Sequence, residues 1–195
     1  AALARRIPNT VLLMGTALSV SVILGVLLGI VSAFRQHTKT DAVLTAMRAM
    51  EAWRGRSFIV CNSDNLYSVQ ALGALLHADS PGALIEYDRN GLGLDRARVD
   101  TYATIVTGAD GFVKEIVEKP SAEELAKILK DHPSAGVSMN IFRLPFGSIE
   151  PILEGMPLHP ERGEKELPTA VGMLVRTKPQ SVRSIRMSEP VPDLT

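Results

Sequence analysis

The sequence contains a single cysteine, Cys61. An internal disulfide is therefore excluded, which fits a reducing compartment. Cys61 sits in an apolar run, so a core position is expected for it. There is no excess of either charge: Lys+Arg and Asp+Glu stand at 21 each. Nothing in that balance calls for a nucleic-acid partner, and no acidic run suggests a disordered tail. The four histidines, His37, His77, His132 and His159, show neither metal-ligand spacing nor triad partners. There is no GxGxxG, no P-loop and no CxxC. Nucleotide-binding loops of the common kinds and Ser–His or Cys–His nucleophiles are thus missing. Internal repeats and low-complexity tracts are absent too.

Charge is also missing locally. Val11 to Phe34, VLLMGTALSVSVILGVLLGIVSAF, holds no ionisable residue. A bilayer-crossing helix needs about 20 apolar residues, and this run is long enough. Arg5 and Arg6 precede it; Arg35 and Lys39 follow. A cleaved signal peptide fits less well, since the apolar part is too long. A buried helix of a water-soluble domain is the other alternative. From about Lys39 onward, charges are spread evenly and Gly and Pro recur. The chain reads as two unlike pieces, 1–38 and 39–195.

In the second piece, strand and helix patterns alternate. Asp41 to Trp53 has apolar residues at helical spacing. Phe58 to Cys61 reads as a buried strand. Ser68 is placed to cap a helix through Leu76, with Val69, Leu72, Leu75 and Leu76 inward. Ala83–Tyr87 and Thr101–Val106 read as strands, joined by a polar loop over Arg89–Asp100. Phe112–Val117 completes a hairpin. Ser121 and Glu124 form a capping box for a helix with Leu125, Ile128 and Leu129 inward. Gly136–Leu144 reads as one strand, Phe146–Leu153 as a short helix, Glu164–Val175 as a helix with Pro168 in its first turn, and Val182–Met187 as the last strand. The pattern predicts a three-layer α/β domain with a mostly parallel sheet.

In open α/β sheets, ligands sit beyond the carboxyl ends of strands. Asp64 falls there, in Asn62-Ser63-Asp64-Asn65 after the first strand. A short carboxylate among small neighbours suits a hard divalent cation such as Mg²⁺. The same four residues are also good turn material. Lys119, in Glu118-Lys119-Pro120, can meet a phosphate as a point charge, or simply be a solvated strand end. Arg162-Gly163-Glu164-Lys165-Glu166 is a charge run.

Phe58 to Ser68, FIVCNSDNLYS, resembles the metal-binding strand of sugar-1-phosphate nucleotidylyltransferases, the nucleoside-diphospho-sugar pyrophosphorylases. Thr40 to Val43 resembles that family's segment near the base. VKEIVEKP (Val113–Pro120) resembles its strand ending in Glu-Lys-Pro. Gly136 to Phe142 resembles the sugar-side strand, RGEKELPT (Arg162–Thr169) the Arg-Gly-Glu-x-Glu segment, and Val191 to Thr195 the segment with the second metal aspartate. The resemblance implies a truncated three-layer Rossmann-like nucleotidyltransferase sheet, with nucleotidyl transfer from a nucleoside triphosphate to a sugar 1-phosphate in the cytoplasm. Mg²⁺ on Asp64 and Asp193 is implied as cofactor. Lys119 would bind the sugar phosphate, and Asn65, Glu118, Asn140, Glu164 and Glu166 would contact substrate.

The family's opening Gly-x-Gly-Thr-Arg loop and Pro-Lys segment have no counterpart here, so impaired activity is expected. Arg5 to about His37 instead is similar to a transmembrane segment of dipeptide/oligopeptide ABC transporter permeases, through its Pro-x-Thr start and Gly25 and Gly29. The chain reads as a join near residues 37–40. A gene fusion, a fragment or an assembly error each account for it. The competing functions are a membrane component of a peptide transporter, anchored through 11–34, and a catalytically dead nucleotide-sugar-binding domain.

Overall fold

Gly82 to Tyr87, GALIEY, is buried at every position, and the other strands are arranged around it. The computed structural model describes residues 55–158 and 165–192. The apolar run 11–34 and the helical pattern at 41–53 lie outside the described residues. Among the described residues no helix is long and apolar enough to cross a membrane.

In chain order the elements are β1 (Ser57–Cys61), α1 (Val69–Leu76), β2 (Gly82–Tyr87), α2 (Arg96–Val99), β3 (Thr104–Thr107), β4 (Val113–Val117), α3 (Ala122–Asp131), β5 (Gly136–Val137), β6 (Ile141–Pro145), α4 (Phe146–Gly155), α5 (Leu167–Thr177) and β7 (Val182–Met187). The strands form one sheet of order β1-β6-β2-β5-β3-β4, with β7 on β2.

The sheet is mixed and largely antiparallel, which corrects the expectation of a mostly parallel one. Among the described residues only β2 and β7 pair in parallel. The reason is a threading that alternation alone does not reveal. β1 and β2 point the same way and are joined through α1, but β6 runs antiparallel between them. β3 and β4 form the expected hairpin.

Side chains alternate across β2, so each face has its own core. Leu84 joins Phe142, Leu144, Phe146, Ile149, Leu153, Val171 and Leu174, under α4 and α5. Ala83, Ile85 and Tyr87 join Ala71, Leu75, Leu92, Val137 and Ile141, under α1. Helices thus lie on both faces of the sheet. Each fully buried Leu, Ile or Phe contributes about 1.5–3 kcal/mol relative to exposure.

Helix ends follow the expected chemistry. Ser68 caps α1, its Oγ accepting from the Ala71 N–H. Arg143, reaching from β6, donates to the carbonyls of Leu75 and Ala78 at the other end. The capping box of Ser121 and Glu124 is present on α3, and Pro168 lies in the first turn of α5. Other expectations need correction. Val69 and Leu76 are 86% and 62% exposed. Leu75 is buried as expected and Leu72 packs against the same core, but the fully buried partner of Leu75 is Ala71, one turn away. Cys61 is exposed, not core: it is the last residue of β1, at the end of the strand where the packed core stops. The polar loop at 89–100 contains the short helix α2.

Glu86 sits in the middle of the sheet, 1% exposed. Its Oε1 accepts from the Gly136 N–H at 3.0 Å and from Arg186 at 2.9 Å. Its Oε2 accepts from the hydroxyls of Thr107 and Ser184. One carboxylate therefore stitches β2, β3, β5 and β7. Gly136 must be glycine: a Cβ there would lie 2.4 Å from Glu86 Cγ and 2.7 Å from the Tyr87 carbonyl oxygen.

Candidate functional site

The stretch expected to be one strand, 136–144, is two. β5 ends at Val137 and β6 starts at Ile141. Between them, Asn140 adopts φ +57°, a left-handed conformation that costs a non-glycine residue unless its surroundings hold it. The break occurs where β1 ends on one flank and β3 begins: Cys61 lies opposite Ile141, and Thr104 opposite Val137. The gap between those two strand ends is a small cavity of about 120 Å³. Asn62, Asp64, Asn65, Tyr102, Ser138, Met139 and Asn140 line it.

Hydrogen bonds fix both walls. The Tyr67 hydroxyl accepts from the Asn62 N–H and from Asn65 Nδ2, each at 3.2 Å, and donates to the Met139 carbonyl at 2.5 Å. Burial pushes the Tyr67 phenol above its ordinary pKa, so it stays protonated and can donate. Ser138 N–H donates to the Ala103 carbonyl, and the Asn140 N–H to Ser138 Oγ. The loop after β1 is also tied to the end of the chain. Leu66 N–H donates to the Pro192 carbonyl at 3.0 Å, and Ser68 Oγ to Glu189 at 2.7 Å. Val191 is buried in the same core as Tyr67 packs against.

The donor set is oxygen: the Asp64 carboxylate, the side-chain carbonyls of Asn62, Asn65 and Asn140, and the Ser138 hydroxyl. Such ligands suit Mg²⁺ or Ca²⁺ rather than a soft metal. Asn140 Oδ1 is buried and has no hydrogen-bond partner. A buried acceptor left so costs about 1–3 kcal/mol, which a bound cation would offset. The residues present therefore fit a hard divalent ion. Among the described residues no three His, Cys, Asp or Glu side chains cluster to hold a metal by themselves.

Of the residues singled out in the sequence, Asp64, Asn65 and Asn140 come together. Lys119 does not line this cavity. It lines another of about 560 Å³, with Asp100, Thr101, Pro120 and Leu125. Thr101 belongs to that cavity and Tyr102 to the first, so the two flank one backbone segment. Lys119 has φ +43°. Glu118 has one shielded carboxylate oxygen and lines neither. Glu166 is the N-cap residue of α5 and lies apart from Asp64's cavity. Lys165, from the same charge run, donates to the Leu153 carbonyl at 2.7 Å and closes the end of α4. Glu164 and Asp193 lie outside the described residues.

Tyr67, Tyr102 and Ser138 were not foreseen. Tyr67 lies inside the stretch that drew attention to Asp64, but nothing local shows that its hydroxyl reaches position 139.

A third cavity, about 410 Å³, opens beyond β2 and β7 and is lined by Arg89, Arg96 and Arg186 with Glu86 and Asp88. Its charges are spent within the protein. Arg186 pairs with Glu86, and Arg89 with Asp100. That leaves Arg96 against Asp88, so size alone does not make it the preferred site.

No family model matches the sequence, and no curated protein matches it. Solved structures do. A structure assigned as a glucose-1-phosphate thymidylyltransferase from Bacillus anthracis, in complex with sucrose, superposes with a TM-score of 0.54 at 15% identity over 82% of this chain. A UDP-glucose pyrophosphorylase complexed with UDP-glucose gives 0.58 at 17% identity, also over 82%. The chain spans 56% and 58% of those two proteins. The likeness is one of fold, a mixed α/β sheet.

Proposed function

We propose that residues 39–195 are part of a sugar-1-phosphate nucleotidyltransferase. The carrying observation is the Asp64 cavity, formed where β1 ends, β3 begins and the β5–β6 strand breaks. The fold likeness supports the same reading. In the proposed reaction a phosphate oxygen of a sugar 1-phosphate attacks the α-phosphorus of a nucleoside triphosphate. The new P–O bond forms in line with the breaking α–β phosphoanhydride bond, and pyrophosphate leaves with that electron pair. No protein nucleophile is required. The protein's task is positioning and charge neutralisation.

In this reading Asp64 and Asp193 hold Mg²⁺, with Asn140 Oδ1 as a third donor. Bound there, the ion would neutralise phosphate charge. The Leu66–Pro192 hydrogen bond supports the pairing, because it brings the chain to within one residue of Asp193 beside the Asp64 loop. Glu118, Lys119, Asn65, Glu164 and Glu166 are assigned to substrate. For Lys119 that assignment requires the sugar phosphate to cross the Thr101–Tyr102 segment.

The cavity is small. At about 30 Å³ per water it accommodates about four waters, an ion with part of its shell and not a sugar. A nucleotide-sugar must therefore lie largely outside it. The sequence carries no Gly-x-Gly-Thr-Arg segment, so these residues alone are expected to bind product better than they turn over substrate. The two-piece organisation, 1–38 and 39–195, with a permease-like first piece, belongs to the same proposal. The test is Mg²⁺-dependent pyrophosphate release with a panel of nucleoside triphosphates and sugar 1-phosphates, run beside calorimetry with UDP-glucose and dTDP-glucose. Neither binding nor release with any pair would remove this reading.

A further inference from the structure

We infer that Tyr67 is a positioning residue whose hydroxyl holds Asn140 against Asp64, so that a buried side-chain carbonyl completes a divalent-ion site. The inference rests on the reading of the Asp64 cavity as an ion site and adds residues to it.

Three observations converge. First, the Tyr67 hydroxyl bonds both walls, Asn62 and Asn65 on the loop after β1 and Met139 at the strand break, and its 2.5 Å bond to the Met139 carbonyl is much shorter than the 3.5 Å one that Asn65 Nδ2 makes to the same oxygen. Second, the residue after Met139 is Asn140, with φ +57°. A left-handed asparagine at a strand break is held by its neighbours, and the bond to the Met139 carbonyl is the nearest restraint from outside the segment. Third, Asn140 Oδ1 is buried in the cavity wall with no partner. A buried amide oxygen without a protein partner is placed to meet a water or an ion. Oxygen donors and the cavity's volume of about 120 Å³ point to a hard cation.

Tyr67 is therefore a hinge pin between two walls that share no strand pairing at this point. Without its hydroxyl the 138–140 break is free to relax toward ordinary strand geometry, which swings Asn140 away from Asp64. A mere packing role for Tyr67 would leave ion affinity alone, since phenylalanine keeps the ring.

The experiment is Mn²⁺ titration of the purified full chain, read by the paramagnetic signal of free ion, with Tyr67→Phe, Asn140→Ala and the double variant. Thermal melts run alongside. We expect Tyr67→Phe and Asn140→Ala each to weaken Mn²⁺ binding about tenfold, the loss typical when a partner that orients a metal ligand is removed. The double variant should be no weaker than Asn140→Ala alone, because both act through one contact. Unchanged affinity in Tyr67→Phe overturns the inference, as does full additivity in the double variant. If Tyr67→Phe does not fold, unchanged affinity in Asn140→Ala overturns it by itself. Absence of Mn²⁺ binding by the unaltered chain is a different outcome: it removes the ion site, and the inference with it.

Discussion

The backbone N–H of Leu66 donates to the carbonyl oxygen of Pro192 at 3.0 Å, joining the loop after the first described strand to the last described residue. Asp64 stands two residues before one partner, and Asp193 directly follows the other. If both carboxylates serve one ion, Asp64→Asn and Asp193→Asn must have matching effects. Each is expected to lower Mg²⁺-dependent pyrophosphate release by about 10²- to 10³-fold, the scale for loss of one preorganised electrostatic contact. Circular dichroism should show the fold intact. A near-normal rate in either variant removes that residue from the ion.

Glu86 makes a separate, purely structural prediction. Its four donors come from three neighbouring strands, β3, β5 and β7, and it is 1% exposed. Glu86→Ala strands those donors in the sheet and should cost about 3 kcal/mol in urea unfolding. Gly136→Ala should cost about 1–3 kcal/mol by overpacking, because the Tyr87 backbone cannot give way easily. Equal midpoints for variants and parent would contradict both.

The hairpin turn between β3 and β4 should be pH-sensitive. The ammonium of Lys114, hydrogen-bonded to Asp110, lowers that carboxyl's pKa from 3.8 to about 2. A depressed carboxylate stabilises the folded state fully above its unfolded pKa. That contribution is lost as pH falls from about 3.8 through about 2. Asp110→Asn should flatten the stability profile across that window. Carboxyl-carbon chemical shifts would locate the midpoint directly, and a midpoint near 4 would rule the pairing out.

Cys61 offers a quick check on the strand end. It is exposed, so an aromatic disulfide reagent should modify it in the native protein at one equivalent, without denaturant. Reaction only after unfolding would return Cys61 to the interior.

How much of this was legible in the sequence depends on range. Ser121 with Glu124, and Ser68 ahead of its helix, are local devices that need only three or four neighbouring residues. Strand identities were likewise visible from β-branched runs. Strand order was not: β6 slides between β1 and β2, and no residue in either carries a mark of that. The break at Asn140 was hidden for the same reason. GVSMNIF reads as continuous strand, and only the ends of β1 and β3 opposite it make a gap useful. Asp64, Asn65 and Asn140 could be named from a resemblance, while Tyr67, whose hydroxyl joins Asn65 to Met139, could not. Lys119 shows what a motif leaves open: the sequence names the residue, and the fold places it at a neighbouring cavity rather than that of Asp64. The expected inward face of α1 failed at Val69 and Leu76, since apolar spacing alone does not say which of two overlapping stripes meets the sheet.

The threading of β6 has a consequence for synthesis. Ser57 pairs with Pro145, and Ala83 with Arg143. Until a ribosome has released that later strand, β1 lacks the one neighbour it has among the described residues, and β2 lacks both β6 and β7. Such edges recruit other chains. Growing polypeptides stalled before residue 141 are the form of this protein most in need of a chaperone.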